Sequence, residues 1–583
     1  MEYFRKIKKI AFAVCAVFIL FYSAAIFLAP NAKAANVGDI VNFNVDKSFD
    51  ASGRTQISSS LVKISSKLYF YIEKAWWDSQ PQARQNQILI NLDNLSDEFD
   101  NNIYPTLTSA FGQEWNPGRD KDSRIAILFE SMNSTEGGYF RETDEYEKIQ
   151  LPDSNEREML YLSVLNIDKP NVKVILGHEF MHLITFNQKN KIFGEEEDTW
   201  LNETRADYSS TVLGYDNSYQ GSSLQQRVKD FIENPSDSIT DWANTKYDYA
   251  SVSLFAHYLV DHYGINILTD SLKSKFIGAD SVNYALQKSG AKKDFAQIFT
   301  DWTIALMIND CSKNLEYCYL NENLDNLRIS PTLIFLPLTG SSSLSATNVT
   351  KNWSGNWQKI IGGTGDLKLE FSSLAGLNFQ VPYIIYDKDN KYSVEFLKLN
   401  KTEKGEVNIK DFGTKYNSLI IVPSLQTKTS GFDGLDFIYP YSFTVSITGK
   451  DSEADQIIIQ KLLDQIASLK KQIADIIAQK SGGNNNNGGN NNSTCFQLNN
   501  NLSFGMFNNS DVKCLQSFLK SQGADIYPEG LVTGNFGSLT KSAVIRFQEK
   551  YTSEILTPLG LFGGTGFVGP ATRFKINQLL SGG

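Results

Sequence analysis

The sequence contains little histidine, little cysteine and no excess of basic residues. Its 583 residues include four histidines and five cysteines, and 65 acidic against 55 basic side chains give a formal charge of −10. Because nucleic acids attract proteins through cationic surfaces, we expect no nucleic-acid partner. So few cysteines also exclude a small scaffold held together by disulfides, and the length predicts several domains.

Long apolar runs are absent except for one near the N-terminus. Residues 10–28 are apolar, four basic residues lie between positions 5 and 9, and Ala32-Lys33-Ala34 follows. This order is typical of a signal peptide, so we predict that residues 1–34 are removed after Ala34 and that the protein is secreted to the cell surface or cell wall. An uncleaved N-terminal anchor is the alternative, because the run is nearly long enough to span a bilayer.

Removal of the signal peptide would leave four cysteines in two local pairs. Cys311 and Cys318 form one pair, and Cys495 and Cys514 form the other. Because thiols are oxidised outside the cell, we predict one disulfide within each pair. A metal site is the alternative, but neither pair has CxxC spacing or a histidine beside it.

Two large regions follow the signal peptide. Residues 35–330 mix strand-like runs with helical patterns, which predicts an α+β domain of catalytic size. Residues 331–450 consist of short strand-like runs separated by Gly, Asn, Asp and Ser clusters, which predicts a β-sandwich domain. No candidate site is visible in this second region, so we interpret it as a spacer or packing module.

Three shorter segments complete the predicted multidomain chain. Residues 451–480 carry apolar side chains at the a and d positions of three heptads, which predicts a short coiled-coil stalk and allows a homo-oligomer. A helix docked on a neighbouring domain is the alternative. Residues 481–494 are mostly Asn and Gly and predict a flexible linker. Residues 495–583 contain three helical patterns and predict a small three-helix domain.

Half of the histidines lie in the sequence His-Glu-Phe-Met-His at residues 178–182. The apolar residues on both sides predict a buried helix, on which residues four apart share one face. His178 and His182 can therefore direct their ring nitrogens at one Zn²⁺ ion. Glu179 is near enough to take a proton from a water activated by the metal, which is the chemistry of peptide hydrolysis. Two core histidines beside a chance glutamate are the alternative, and the HExxH spacing argues against them.

A catalytic zinc site needs a third protein ligand. Thr185 and Gln188 stand where a metzincin would have Gly and His, which excludes that class. The acidic residues 195–198 are interpreted as a solvated loop. Glu203 is the better candidate, because it lies on a second predicted helix that an antiparallel return would place beside the first.

Asp207 lies four residues after Glu203 on the same helical face. It is predicted to accept a hydrogen bond from the outer ring nitrogen of His178 and so to fix the tautomer of that ligand. The chain resembles the gluzincin zinc metallopeptidases, which have a thermolysin-like fold. The resemblance rests on the HExxH sequence, the glutamate on the next helix and the acidic residue four positions later. The resemblance implies that His178, His182 and Glu203 hold one catalytic Zn²⁺ and that Glu179 is the catalytic base.

Two further phrases resemble one group of these enzymes. Residues 200–203 (Trp-Leu-Asn-Glu) and residues 137–140 (Gly-Gly-Tyr-Phe) are similar to sequences of the hyicolysin-like secreted peptidases, in which the second phrase would lie at the edge of the substrate cleft. Thr204 stands where related families usually have Gly. The Gly-x-Met-Glu-Asn motif with which aminopeptidases bind a free amine is absent, so the resemblance implies an endopeptidase.

Peptide hydrolysis also needs a group that stabilises the oxyanion of the tetrahedral intermediate. Gluzincins often supply a Tyr or His from a helix across the cleft, and the predicted helix over residues 249–263 occupies that place. Tyr249 is therefore the predicted oxyanion donor, with Tyr247 and His257 as rivals. Ordinary helix packing or exposure to solvent is the expected role of His257 and His262.

Three phrases in the C-terminal segment form a specific pattern. They are residues 511–516 (Asp-Val-Lys-Cys-Leu-Gln), residues 533–537 (Thr-Gly-Asn-Phe-Gly) and residues 566–572 (Gly-Phe-Val-Gly-Pro-Ala-Thr). The pattern resembles the peptidoglycan-binding domain type 1 family over most of residues 495–583. The resemblance implies that this domain attaches the protein to the cell wall.

The sequence therefore predicts an exported, wall-associated zinc endopeptidase that acts on proteins or peptides. Two other functions stay open at this point. The same chemistry could cleave the peptide cross-bridges of peptidoglycan, or the chain could be a non-catalytic surface protein that binds the wall.

Overall fold

The computed structural model describes residues 35–448, except 339 and 433, and residues 497–581, except 499, 505, 507, 508 and 560–562. The chain divides into two compact units, Met1–Leu462 and Leu463–Gly583, each with apolar clusters of its own. The predicted signal peptide (1–34), coiled-coil stalk (451–480) and linker (481–494) lie outside the described residues. In the described ranges, no helix has the length and apolar character needed to cross a membrane.

The first unit begins with a six-stranded sheet. Its strands are Ile40–Asn44 (β1), Gln56–Ile64 (β2), Leu68–Glu73 (β3), Ile125–Glu130 (β4), Gly138–Phe140 (β5) and Met159–Ser163 (β6). The strand order is β1-β2-β3-β4-β6-β5, with β3, β4 and β6 parallel and the other pairs antiparallel. Every residue of β3, β4 and β6 is buried, which explains their largely apolar sequences. Residues 40–73 are thus an integral part of this sheet.

Helices cover the sheet and extend the same unit. They are Lys74–Asp78 (α1), Gln82–Glu98 (α2), Tyr104–Phe111 (α3), Val172–Thr185 (α4), Thr199–Val212 (α5), Ser223–Glu233 (α6), Lys246–Tyr263 (α7), Asn266–Leu272 (α8), Gly278–Ser289 (α9) and Phe295–Ile308 (α10). Helix α4 continues into a π-helical turn at Phe186–Lys191. Because α4 packs against α5 and α5 against α7, the three helices that carry the predicted site residues are neighbours.

The region after α10 consists of strands. They are Thr332–Leu336 (β7), Ser342–Thr350 (β8), Gln358–Gly362 (β9), Gly365–Ser373 (β10), Phe379–Gln380 (β11), Pro382–Asp387 (β12), Tyr392–Phe396 (β13), Lys404–Phe412 (β14), Tyr416–Ile421 (β15), Ser424–Leu425 (β16) and Tyr439–Thr448 (β17). Nine of these strands form one hydrogen-bonded sheet, in which the runs β7-β9-β15-β12-β13 and β14-β10-β17-β8 are joined at a single residue pair, Phe412 with Tyr416. We call these two runs the layers of the sandwich. Side chains from both layers, such as Leu369 and Leu419, share one apolar cluster, as in a β-sandwich.

The sandwich also shares an apolar core with the helices. The Trp353 ring lies against Phe295 and Phe299 of α10, with ring centroids 4.7 and 5.3 Å away. The indole nitrogen of Trp357 donates a hydrogen bond to the carbonyl of Thr303 at 2.9 Å. This region is therefore packed against the helices, which favours a packing module over a spacer.

One of the two predicted disulfides lies at the end of the helical region. Cys311 and Cys318 are bonded, as the sequence predicts. The pairing of Cys495 with Cys514 stays a prediction, because Cys495 lies outside the described residues.

The second unit is helical. Its helices are Ser510–Ser521 (α11), Ser538–Lys550 (α12), the short Thr552–Ile555 (α13) and Pro570–Ser581 (α14). The side-chain oxygen of Gln516 accepts hydrogen bonds from the backbone of Thr533 and Gly534, both at 2.8 Å. Gln548 makes the same pair of bonds to residues 565 and 566, at 2.8 and 2.9 Å. The glycines of both turns, Gly534 and Gly566, have positive φ, 82° and 74°, so these glycines of the family pattern build two similar turns.

Candidate metal centre and cleft

Helix α4 carries the HExxH sequence in the core of the first unit. Leu176, Phe180 and Leu183 have no exposed surface and fix the helix against its neighbours. His178 and His182 lie on one face, as their spacing predicts, with their ring centroids 4.9 Å apart. The helix therefore presents both imidazoles to the same side.

Helix α5 brings Glu203 to these imidazoles. The Nε2 atoms of His178 and His182 are 3.2 Å apart. Glu203 Oε2 lies 3.2 Å from Nε2 of His178, and Oε1 lies 3.5 Å from Nε2 of His182. Within the described part of the chain, this is the one group of three or more His, Cys, Asp or Glu side chains whose ligand atoms converge, all within 4.8 Å of one another.

This donor set fits Zn²⁺. Two imidazole nitrogens and a carboxylate are ligands of known catalytic zinc sites, in which a fourth position stays open for water or substrate. Glu203 Oε2 is buried and has no hydrogen-bond partner among the described residues. The Nε2 atoms of the two histidines also face each other, at 3.2 Å. A cation at the point where these atoms converge would satisfy all of them, so the residues fit the metal that the sequence predicts.

The outer nitrogen of His182 has a protein partner. Its Nδ1 atom lies 3.1 Å from Oδ1 of Asn202, which directly precedes Glu203 on α5. An acceptor at this position holds the proton on Nδ1 and leaves Nε2 free to bind a metal.

Burial and neighbouring charges shift the pKa values of the cluster. Burial raises the pKa of Glu179 to about 8, with an opposing effect of His178 and a further increase from Glu203. Burial alone would lower the pKa of His178, but the neighbouring Glu203 carboxylate outweighs it and raises that pKa to about 9. Burial would raise the pKa of Glu203, yet the two histidines hold it below its usual value. Burial, together with the charge of His178, lowers the pKa of His182 despite Glu203, so the Glu203 carboxylate is the group that favours positive charge in this cluster.

A cleft opens over the cluster. Two cavities of about 320 and 640 Å³ adjoin here, and both are lined by Glu136, Gly138, His178, Glu179, Asn244 and Tyr249. Strand β5 belongs to this wall, as the sequence predicts for residues 137–140. It is the last strand of its sheet and pairs with β6 on one side only. Its other edge can therefore pair with an extended peptide.

Tyr249 stands beside the metal centre. Its ring centroid is 6.4 Å from that of His178, and its hydroxyl donates to Oδ1 of Asn244 at 3.1 Å. The Arg227 guanidinium carbon lies 5.0 Å from the Tyr249 ring centroid. Burial and the carboxylates of Glu203 and Glu179 raise the pKa of Tyr249 well above its usual value, so the phenol keeps its proton and can donate it in a hydrogen bond.

The two rivals of Tyr249 lie elsewhere. The hydroxyl of Tyr247 faces Glu233 on the exposed surface, at 3.3 Å. His257 is buried beside Tyr208, 5.0 Å between ring centroids, and burial lowers its pKa to about 4. Neither of them is among the residues that line the two cavities.

Asp207 lies near His178 but is bonded to a different residue. Its Oδ1 atom accepts hydrogen bonds from Nε and Nη2 of Arg227, at 2.9 and 2.6 Å. Its charge contributes to the raised pKa of His178. Because the described hydrogen bonds include none between Asp207 and His178, a direct bond between them stays a prediction.

The acidic run before α5 differs from the solvated loop that we expected. Glu197 and Asp198 are buried, with 8% and 4% of their surface exposed. Glu197 binds Nη1 of Arg205 at 2.9 Å, and Asp198 accepts a hydrogen bond from the backbone of Gly431 at 2.9 Å. The expectation was wrong for these two residues, because Glu197 pairs with an arginine of α5 and Asp198 binds the backbone of a distant segment.

Sequence reasoning missed three residues of the site. Asn202 lies within the Trp-Leu-Asn-Glu phrase, so its adjacency to Glu203 was an available signal. Arg227 and Asn244 lie on α6 and on the segment after it, and no spacing links them to the HExxH sequence. Their place at the site depends on the tertiary fold.

Comparisons with known proteins match two parts of the chain. Residues 508–552 match the model of the family described as putative peptidoglycan binding domain. The neutral metalloprotease ShpI of Staphylococcus hyicus is 26% identical over 240 residues, which cover 36% of this chain and 52% of that protein. The chain therefore matches about half the length of this relative. These matches confirm the predicted resemblance to a metalloprotease and to the peptidoglycan-binding family.

Two solved structures show weak similarity to a fifth of the chain. The mitogen of Yersinia pseudotuberculosis has a TM-score of 0.14 and 10% identity, covering 20% of this chain and 92% of that one. The pre-peptidase C-terminal domain of a Bacillus anthracis collagenase has a TM-score of 0.13 and 8% identity, covering 20% and 96%. Similarity at this level does not establish a shared fold.

Proposed function

We propose that the protein is an exported zinc endopeptidase that hydrolyses peptide bonds in proteins and is held at the cell wall by its C-terminal domain. The metallopeptidase domain would span residues 35–330 and be of the gluzincin type. The observation that carries the proposal is the convergence of His178, His182 and Glu203, with Glu179 beside them in an open cleft. Similarity to a metalloprotease supports it.

Glu179 is the residue that moves protons in this proposal. Zn²⁺ held by the two histidines and Glu203 would polarise the scissile carbonyl and make a water acidic enough to lose its proton near neutral pH. Glu179 lies in the cleft wall with 5% of its surface exposed, and its carboxylate takes that proton. The same carboxyl group then protonates the leaving amine.

Tyr249 stabilises the negative charge that develops on the carbonyl oxygen. Its hydroxyl already donates to Asn244 and keeps its proton because its pKa is raised. Turning from Asn244 towards the substrate would let it donate to the oxyanion. Arg227 adds a positive charge beside the Tyr249 ring.

The substrate is an extended polypeptide. The free edge of β5 would bind its backbone in β-strand form, so that recognition depends mainly on main-chain hydrogen bonds. Glu179 lines both adjoining cavities, which leave room beside it for residues before and after the scissile bond. This openness favours an endopeptidase.

The cellular location rests on the two ends of the chain. Residues 1–34 have the order of a signal peptide. The match of residues 508–552 to a peptidoglycan-binding family supports peptidoglycan as the partner of the C-terminal domain. The disulfide between Cys311 and Cys318 is consistent with an oxidising environment.

Casein hydrolysis by the mature chain tests the proposal, beside the variants Glu179→Gln and Glu233→Gln. Loss of the general base should lower kcat by about 10²- to 10⁴-fold while zinc content stays at one ion per chain. Glu233→Gln, a change of an exposed glutamate outside the cleft, should leave both unchanged. Equal activity of wild type and Glu179→Gln would contradict the mechanism, and absence of zinc from the wild type would contradict the ligand set.

Cleavage of peptidoglycan cross-bridges is a second candidate, because the same chain matches a peptidoglycan-binding family. Release of soluble peptides from isolated sacculi, without hydrolysis of casein, would favour it. Bound zinc without either activity would instead favour a non-catalytic wall-binding protein.

A further inference from the structure

Residues 236–245 connect α6 to α7 and form part of the cleft wall; we call this segment the strap. The ring of Trp242 meets that of Tyr249 edge-on, with centroids 5.0 Å apart. Oδ1 of Asn244 accepts the hydrogen bond from the Tyr249 hydroxyl at 3.1 Å. The strap therefore holds the proposed oxyanion donor from two directions.

The opposite side of the strap is hydrogen-bonded to the sandwich. The Ser238 hydroxyl donates to the carbonyl of Asn352 at 2.6 Å. The backbone N–H of Ile239 donates to the carbonyl of Trp353 at 3.1 Å. Ser238 and Ile239 are almost completely buried, so these bonds lie inside the unit and are protected from water.

Asp241 is the charged residue at the centre of this contact. Its side chain is buried, and it forms an ion pair with Lys351 through Oδ2. Its Oδ1 atom accepts a hydrogen bond from the backbone N–H of Asp436 at 2.5 Å. Both partners belong to the sandwich. Because a buried carboxylate is stabilised only where its donors stand, the sandwich determines where this part of the strap lies.

The strap is fixed again where α7 begins. Asp248 accepts hydrogen bonds from the backbone of Ala243 at 3.4 Å and of Thr245 at 2.6 Å. Asn244 stands between these points in the left-handed region, with φ 56°, a conformation that Asn tolerates better than most residues. Asn244 therefore lies between two anchors, Asp241 on one side and Asp248 on the other. Loss of the anchor at Asp241 would let the strap shift and change the direction of the Asn244 side chain.

We infer that Asp241 is a positioning residue, through which the β-sandwich sets the place of the Tyr249 hydroxyl for catalysis. This inference rests on the proposed function. It gives the sandwich a part in the reaction although none of its described residues lines the two cavities at the metal centre.

A double-mutant cycle on the full mature chain tests the inference, with casein as substrate. The four proteins are the wild type, Asp241→Asn, Tyr249→Phe and the double variant. Asp241→Asn should lower kcat about tenfold, because small displacements of a catalytic group are costly, and should leave KM and zinc content unchanged. In the Tyr249→Phe background the same substitution should lower kcat by less than about twofold, because the group that it positions is already gone.

Two more variants exclude a loss of folding as the explanation. Lys351→Met removes the ion-pair partner of Asp241 at a partly exposed position. It should lower kcat, as Asp241→Asn does. Gln426→Met removes another contact between sandwich and helices, the 2.8 Å hydrogen bond to Thr300, away from the strap. It should leave kcat unchanged.

Additive losses in the cycle would overturn the inference, as would full activity of Asp241→Asn or an equal loss in Gln426→Met. An inactive or zinc-free wild type would count against the proposed function itself. If the wild type is active and Asp241→Asn is equally active, the proposed function stands and only the role of the strap is rejected.

Discussion

Two clusters of buried charge lie on the same pair of helical segments and differ in how their atoms are satisfied. One is the metal cluster of His178, His182 and Glu203. The other, which we call the closed network, consists of Lys189 after α4, Glu197 before α5 and Arg205 on α5, whose side chains are at most 1% exposed. The two clusters share similar elements but differ in exposure, since the side chains of the metal cluster face the cleft and are 9–19% exposed. They also differ in their partners.

Every charged atom of the closed network has a partner. The Lys189 ammonium donates to the carbonyls of Ser271 and Ser274, each at 2.9 Å, and also to the carbonyl of Phe276. The Arg205 guanidinium binds Glu197 and also the Ser271 hydroxyl, each at 2.9 Å. In the metal cluster, by contrast, Glu203 Oε2 has no hydrogen bond among the described residues. Buried charge with complete partners supports the fold, whereas buried charge with unpaired atoms facing a cleft indicates a ligand.

Removal of Glu203 should have the largest effect on function. We expect Glu203→Gln to bind no zinc and to have no measurable hydrolysis, because a neutral amide replaces the charged ligand. Added zinc should raise the Tm of the wild type and not that of the variant, since only the wild type binds it. Calorimetry with and without zinc checks this.

Glu196→Gln is the matched control, because this exposed residue belongs to the acidic run before α5. It should behave as the wild type. Zinc binding by Glu203→Gln, or its loss in Glu196→Gln, would reverse our assignment of the third ligand.

Removal of Arg205 should have the largest effect on stability. Arg205→Met leaves Glu197 buried without its main partner, and such losses cost about 3–5 kcal/mol of unfolding free energy. Urea unfolding of the zinc-free proteins measures it. The exposed ion pair of Lys74 with Asp78 provides the comparison, since Lys74→Met should cost less than about 1 kcal/mol. Equal losses in the two variants would show that the closed network is no more structural than a surface pair.

Asn202 should have the smallest of these effects. Asn202→Ala removes the acceptor at Nδ1 of His182 but leaves all three ligands, so we expect zinc affinity to fall about 10- to 100-fold. Competition with a chelator of known affinity measures this. Unchanged affinity would mean that Asn202 does not orient the ring.

Local patterns predicted the metal cluster, and distant contacts account for the errors. The spacing of His178 and His182 needs only a helix, and Glu203 needs only the next helix to return beside it, so both are readable from sequence. The burial of Glu197 is not readable, because it depends on Arg205 and on the backbone of Gly278, which follows much later. Similarly, no local pattern shows that Asp207 binds Arg227.

The same limit applies to the fold. Continuous apolar runs identify the buried strands β4 and β6, because parallel strands buried on both faces have such sequences. Residues 40–73 form three more strands of the same sheet, but β1 and β2 mix polar and apolar residues, so their place in it depends on pairing and not on a continuous apolar run. The contact between the strap and the sandwich likewise depends on hydrogen bonds between separate segments, which no local sequence pattern shows.

The contacts of Asp241 also determine the order in which the cleft can be completed. Its partners Lys351 and Asp436 follow it by 110 and 195 residues. A polypeptide is synthesised from its N-terminus, so the histidines and Glu203 are made long before the residues that hold the strap. The newly made chain therefore contains the metal-ligating residues early and the partners that hold Asp241 late. During this interval the strap lacks its contacts with the sandwich. Synthesis of the metal-ligating residues is therefore separated in time from completion of the cleft wall.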